Sequence, residues 1–203
     1  MKANQQTIEE LVIQDHMEVR NFYQLYKNCF LKEDAEKFWN QIVLEVSRHA
    51  VAEELILYPM FRKYLTNGEI MAKDAIEDHR KTKEAFSGLL SLEPKSTEFE
   101  MKFTLAMEDL FKHMEKEELI DFPLFATSVS FSDRVDAGAK FQNRKLIVPT
   151  RPHTLVSDQY PALETIQGIM LAPIDKFLDL FKSYPDQKTV DKVTEQSKSK
   201  LTS

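Results

Sequence analysis

The chain has 203 residues, 33 acidic and 27 basic, for a net charge of −6. That balance argues against nucleic acid as the main partner, because phosphate binding needs a basic face. Hydrophobic residues make up 42% and charged residues 30%, which predicts a soluble globular domain, and four glycines are too few for a turn-rich β architecture. The single cysteine, Cys29, excludes an intramolecular disulfide and a cysteine-based metal site and is read as an inert small hydrophobe. The N-terminus is polar, without an apolar signal core, and no stretch approaches the ~18 apolar residues of a membrane span. A cytoplasmic address, with no membrane partner, is the expectation.

Residues 7–30 predict the first helix. Ile8, Leu11, Val12, Val19, Phe22, Tyr23 and Tyr26 recur at three- and four-residue spacing. Thr7 and Glu10 form a candidate capping box, and Tyr23 and Tyr26 read as core. A second helix runs from about 34, where Asp34 can cap it, to 58 or beyond, with Pro59 kinking or ending it. Thr66-Asn67-Gly68 is a turn signal. A third helix is expected over 69–91, and Glu93-Pro94-Lys95-Ser96 breaks the chain before a fourth at about 97–125. The whole is predicted to be all-α, an antiparallel up-down four-helix bundle over residues 1–127. Residues 128–185 read as an extension that packs on the bundle and carries one further helix at 161–184. Residues 186–203 read as a disordered tail rich in Lys, Ser, Thr and Gln.

One pattern is used twice, at an offset of 64 residues: His49-x-x-x-Glu53-Glu54-Leu55-Ile56-x-Tyr58-Pro59 and His113-x-x-x-Glu117-Glu118-Leu119-Ile120-x-Phe122-Pro123. A shorter one, Ile-x-Asp-His, repeats as Asp15-His16 and Asp78-His79. Four of the five histidines fall in these pairs. Packing positions match too: Trp39 with Phe103, Val46 with Leu110, Tyr23 with Phe86. Such a repeat predicts two helical hairpins facing each other across a pseudo-twofold axis.

A His and a Glu four apart lie one turn apart on one helix face. Two such helices face to face, with one imidazole from each remaining helix, gather His16, His49, Glu53, His79, His113 and Glu117 inside the bundle. Neutral imidazole with carboxylate suits Fe, Mn or Zn, and a carboxylate from each of two helices can bridge two ions. An isolated His-x-x-x-Glu pair is commonly a surface ion pair. Four histidines in register with an apolar stripe are not explained that way, since buried charge without a partner is costly. Around them, Glu45, Asp109, Asp15 and Asp78 are candidate acceptors for imidazole N–H. Glu54 and Glu118 stand about 100° around the helix from the ligand position, on a face expected to be solvated, although either could serve as an outer acceptor or substitute as a ligand. His153 lies outside the repeat and reads as a non-ligand.

At these residues the sequence resembles the hemerythrin-like (HHE cation-binding) family. His16, His49–Glu53, His79 and His113–Glu117 match its cation-binding motif over roughly residues 7–125, including the trailing Glu-Leu-Ile-x-Tyr/Phe-Pro. The resemblance implies a four-helix bundle holding an oxo- or hydroxo-bridged centre of two Fe ions, with Mn possible on ligand type, and O2 or another small diatomic or peroxide ligand as partner. The segment from Pro149 to Phe181 resembles the C-terminal extension of fungal members. Two departures stand out. Oxygen carriers of the family have a further His where this chain has Lys83, and the iron-sensing relatives have a Glu where it has Ala50. Three functions stay open: a binding protein for O2 or a related ligand or a sensor of iron or oxygen; a di-iron oxidase, peroxidase or nitric-oxide-handling enzyme; and an iron store. A bundle without metal is the remaining alternative.

Overall fold

The computed structural model describes residues 6–145 and 182–201, with no side-chain description beyond Lys198. Every element among the described residues is helical. Helix α1 (Ile8–Asn28) starts at the capping box: the Thr7 N–H donates to Glu10 at 2.9 Å and the Glu10 N–H to the Thr7 hydroxyl at 3.4 Å. Helix α2 (Lys32–Ala52) returns beside it. Its N-cap is Leu31, without a side-chain cap, so Asp34 is not the cap expected from its position.

At Glu53–Leu57 the backbone widens into one π-helical turn before α3 (Tyr58–Tyr64) continues the rod. The cause is local. Pro59 has no N–H to return to the preceding turn, and its ring crowds the carbonyl four residues back. The Tyr58 N–H reaches Glu53 O, five residues back. Pro59 therefore shifts the helix register and does not end the helix. The second repeat does the same: α5 (Thr97–Lys116) passes through a π turn at Glu117–Asp121 into α6 (Phe122–Ser128), with Pro123 in the matching place. Single π turns inside helices occur frequently at functional sites.

Helix α4 (Gly68–Leu89) follows the Thr66-Asn67-Gly68 turn. A Cβ on Gly68 would stand 1.8 Å from the Phe61 carbonyl oxygen, so the tight return from α3 requires glycine there. Between α4 and α5, Lys95 takes a positive φ of 70° and Ser96 caps α5 by accepting from Phe99 N–H. The result is the antiparallel four-helix bundle that the periodicity predicts.

Two apolar clusters fill it. One is built around Trp39, Phe86, Phe99, Phe103 and Tyr26; the other around Ile8, Tyr58, Phe61, Phe125 and Phe141. Tyr23 and Tyr26 lie in the first, as does buried Cys29. On α1, α2 and α4 the repeated histidine falls between the residues given to one cluster and those given to the other, and on α5 His113 stands near the end of the first cluster, ahead of Phe122 and Phe125 of the second.

Two helices depart from the sequence expectation. Helix α7 (Phe131–Lys145) occupies a stretch whose polar, small residues gave no helical stripe. Ala137, Gly138 and Phe141 are its buried face, and it packs on α1, α2 and the first π turn. Residues Gln187–Leu201, expected as a disordered tail, form α8. Val193 is fully buried in the first cluster, and Lys192 Nζ lies 2.6 Å from Asp34 Oδ2, so Asp34 anchors α8. The helix expected over 161–184 and His153 fall outside the described residues, apart from 182–184, which are not helical. No helix among the described residues is long and apolar enough to cross a membrane.

Candidate metal centre

The six repeated residues meet in one buried cluster. His16, His49, His79 and His113 are 0–4% exposed, and Glu53 and Glu117 are fully buried. The imidazoles pair across helices: His16 Nε2 lies 3.1 Å from His49 Nε2, and His79 Nε2 lies 3.1 Å from His113 Nε2. Glu53 Oε2 is 3.1 Å from His49 Nε2 and 3.3 Å from His79 Nε2. Glu117 Oε2 is 3.5 Å from His16 Nε2 and 3.6 Å from His113 Nε2. Each carboxylate therefore touches one histidine of each pair.

Two groups could each hold a metal ion: His16, His49 and Glu53, and Glu53, His79 and His113, with the ligating atoms of each group within 4.8 Å of one another. Glu53 belongs to both. Glu117 faces both pairs through its Oε2. Glu53 Oε1 and Glu117 Oε2 are buried without a hydrogen-bond partner among the described residues. A buried carboxylate oxygen in that state is costly, and a cation between the two carboxylates removes the cost. The donor set and the orphaned oxygens fit a metal pair.

The outer ring nitrogens are held by the residues next to the ligand positions, each reaching across to another helix. Glu118 Oε1 accepts from His16 Nδ1 at 2.7 Å, Asp15 Oδ2 from His49 Nδ1 at 3.1 Å, and Glu54 Oε1 from His79 Nδ1 at 2.8 Å. Asp78 stands toward His113 Nδ1 at 3.8 Å, too far for a hydrogen bond. A carboxylate on Nδ1 fixes the tautomer that leaves the Nε2 lone pair facing a cation. The π turns make this possible for Glu54 and Glu118. By widening the turn they bring both consecutive glutamates toward the bundle, so Glu54 is 1% exposed and not solvated as expected.

The braces continue outward. Arg20 donates to Glu118 at 2.7 Å, Lys145 of α7 to Asp15 at 2.7 Å, and Lys83 Nζ lies 3.5 Å from Glu54. Lys83 thus occupies its position as a cationic support, not as a fifth imidazole. Glu45 and Asp109, expected as acceptors, are placed elsewhere. Glu45 accepts from Gln41 at 2.9 Å, and Asp109 is exposed beside Lys112 at 2.8 Å. They stand a full turn before the histidine, where the neighbouring helix supplies a nearer acid.

Tyr58 was missed as a site residue. It is fully buried, and its hydroxyl donates to Glu117 Oε1 at 3.0 Å and lies 3.0 Å from His79 Nε2. Its repeat partner is Phe122, which stacks on His16 with centroids 6.4 Å apart. This Tyr/Phe exchange was visible in the aligned repeats.

Burial dominates the electrostatics. It pulls His16 down to about 4 despite Glu118, and it lowers His79 against the pull of Glu53. For His49 burial acts the same way, but the Glu53 charge and the Asp15 and Glu53 hydrogen bonds outweigh it and hold the ring at about 10. Burial and the charge of Glu53 push Glu117 up to about 8. Two fully buried neighbouring carboxylates cannot both stay ionised without added positive charge, which is the charge a pair of divalent cations supplies.

Comparison with known proteins agrees with this geometry. The model of the hemerythrin HHE cation-binding domain matches residues 7–125. An uncharacterized hemerythrin-like protein of Schizosaccharomyces pombe is 32% identical over 179 residues, which cover 88% of each chain. A protein named DNA nickase from Nostoc sp. PCC 7120 is 19% identical over 144 residues, covering 71% of this chain and 40% of that one. No solved structure gives a significant match. The repeated motifs, the helical bundle and the relatives agree, and the chain belongs to the hemerythrin HHE cation-binding family.

Proposed function

We propose that the chain is a non-haem di-iron binding protein that takes O2 or a related small ligand, or senses iron or oxygen. The observation that carries this reading is the meeting of two His2Glu groups on the shared Glu53, with Glu117 facing both. A bound iron pair would supply the redox and Lewis-acid chemistry. The protein's own part is different. Glu53 and Glu117 would hold the pair together, the four Nε2 atoms would terminate it, and the crossing carboxylates fix each ring.

Six protein side chains do not fill the positions that two octahedral ions offer. That leaves room for a small exogenous ligand. Lys83, bracing Glu54, keeps the imidazole count at four. The nickase activity of the Nostoc relative is not extended to this chain: a net charge of −6 opposes binding to a phosphate backbone.

A second reading, a di-iron oxidase or peroxidase, draws on Tyr58. Its hydroxyl is a proton donor beside His79 and Glu117, as reductive chemistry on an oxygen ligand requires. Tyr58→Phe, which copies Phe122, separates the two readings. A carrier keeps its iron and its reversible ligand spectrum, whereas an enzyme keeps its iron and loses turnover by about 10²-fold or more.

A further inference from the structure

The pseudo-twofold axis that relates the two hairpins is broken in one place. On the α1–α2 side, the space outside His49 is occupied by α7. The Phe141 ring sits edge-on to His49 at 6.2 Å, and Lys145 Nζ bridges Asp15 at 2.7 Å and Glu45 at 3.8 Å. On the α4–α5 side no helix among the described residues takes that place. A cleft of about 370 Å³ opens there, and His113 is part of its lining.

The sequence explains the opening. Where the first hairpin has Val19, Phe22 and Ile42, the second has Thr82, Ala85 and Ala106 at the repeat offsets, and all three of these smaller residues line the cleft. His113 also differs from the other three histidines. Its Nδ1 is buried without a hydrogen-bond partner, because Asp78 stays 3.8 Å away. Its Nε2 faces His79 and Glu117 inside the metal cavity. The ring therefore spans from the cleft to the cavity, and it is the imidazole least held from outside.

The charges of the cleft favour one class of visitor. Lys81, Lys112 and Lys116 stand against Asp78 and Asp109. Lys81 and Lys112 already pair with those two aspartates at 3.1 and 2.8 Å, so the surplus is positive, on a protein whose overall charge is −6.

We propose that the cleft between α4 and α5 is the entrance through which small anions reach the candidate metal centre, passing the His113 ring. This rests on the metal-binding reading above. Small anions crossing a locally positive mouth arrive faster, and the gain is screened by salt. An entrance also has a kinetic signature that a binding group lacks: narrowing it slows arrival and departure together and leaves the equilibrium where it was.

The test uses the full chain loaded with iron, with azide as the anionic probe and nitric oxide as the uncharged one, both followed by stopped-flow absorbance. In Thr82→Val/Ala85→Phe/Ala106→Ile, which copies the first hairpin, the azide association rate is expected to fall by about tenfold or more. Iron content, helix content and azide Kd should be unchanged. Lys112→Glu/Lys116→Glu should slow azide and leave nitric oxide alone. If the triple variant fails to fold, Ala85→Phe alone, at an exposed position, carries the same expectation. Unchanged azide rates in a filled variant that keeps its iron would overturn the entrance, as would equal slowing of azide and nitric oxide by the charge reversal. Absence of iron from the unaltered protein would overturn the metal reading itself, before any azide is added.

Discussion

At the scale of single residues, the candidate centre consists of four imidazoles and two carboxylates with unequal duties. Glu53 belongs to both three-residue groups and His16 to one. Glu53→Ala should therefore remove nearly all bound iron, whereas His16→Ala should leave about one ion per chain, because a site that keeps three donors can still hold its metal. Metal analysis of the two purified variants checks this, and equal losses would contradict the shared role of Glu53.

The histidines also set a pH dependence for the metal-free protein. His16 titrates near 6.5 when unfolded and at about 4 when folded. A depressed pKa means that the neutral ring is favoured by folding. Its contribution is complete above about pH 6.5 and lost as pH falls toward 4, on the order of 3 kcal/mol. Glu117, held up at about 8, gains stability over the same interval, so the test compares the metal-free protein with its His16→Gln variant by denaturant unfolding at pH 7 and pH 4.5. Acidification should cost the variant less, and an equal pH dependence would contradict the burial of a neutral His16.

The six candidate ligands were legible in the sequence because their repeat is in register with the core stripe. Their supports were only partly legible. Asp15 and Asp78 were already candidates, but which ring Asp15 holds, and that Glu54 and Glu118 turn inward and not outward, depend on which helix faces which. Tyr58 carried a readable signal, since the aromatic of the longer motif is a tyrosine in one copy and a phenylalanine, Phe122, in the other.

At the scale of elements, the paired π turns decide the site. A regular helix would carry Glu54 about 100° away from Glu53; the widened turn keeps both in use. Replacing Pro59 by alanine restores an N–H and removes the ring clash that favours the π register. The expected result is a helix of unchanged content with Glu54 turned off His79 and iron affinity reduced by about 10-fold to 100-fold, the usual cost of losing an outer support. Competition with a chelator measures it. Unchanged affinity would show that the π turn is held by the site and not by the proline.

The prolines were visible in the sequence as breaks, but a missing N–H does not distinguish a helix end from a π turn. In this chain the helix resumes past each proline, as α3 and α6. Helices α7 and α8 were illegible for another reason. Each has only a few apolar contacts, Ala137, Gly138 and Phe141 in one and Val190 and Val193 in the other, too few to show a period. Their helicity depends on the bundle they lie against. Phe141 is 1% exposed beneath α7. Phe141→Ala should cost about 3–5 kcal/mol, seen as a lower thermal midpoint. A much smaller cost would mean that α7 is only loosely held.

At the scale of the whole molecule, the two apolar clusters form the scaffold, and the metal cavity is the layer between them. That layer holds several buried ionisable groups and two orphaned carboxylate oxygens, so the metal-free fold carries an electrostatic burden that cations relieve. Binding to the folded state alone stabilises it by mass action. The up-down bundle was legible because four long amphipathic helices with short connections have few other ways to pack. The closure of one flank by α7 was not, because it depends on a contact between Lys145 and Asp15 that are 130 residues apart in the chain.

The most direct test of the central claim is the metal content of the full-length protein from iron-replete cells, measured per chain by mass spectrometry, with Glu53→Ala prepared in parallel. Two irons per chain in the native protein and almost none in the variant is the predicted result. A well-folded helical protein with little iron or other metal, or an iron content indifferent to the loss of Glu53, would contradict the di-iron centre.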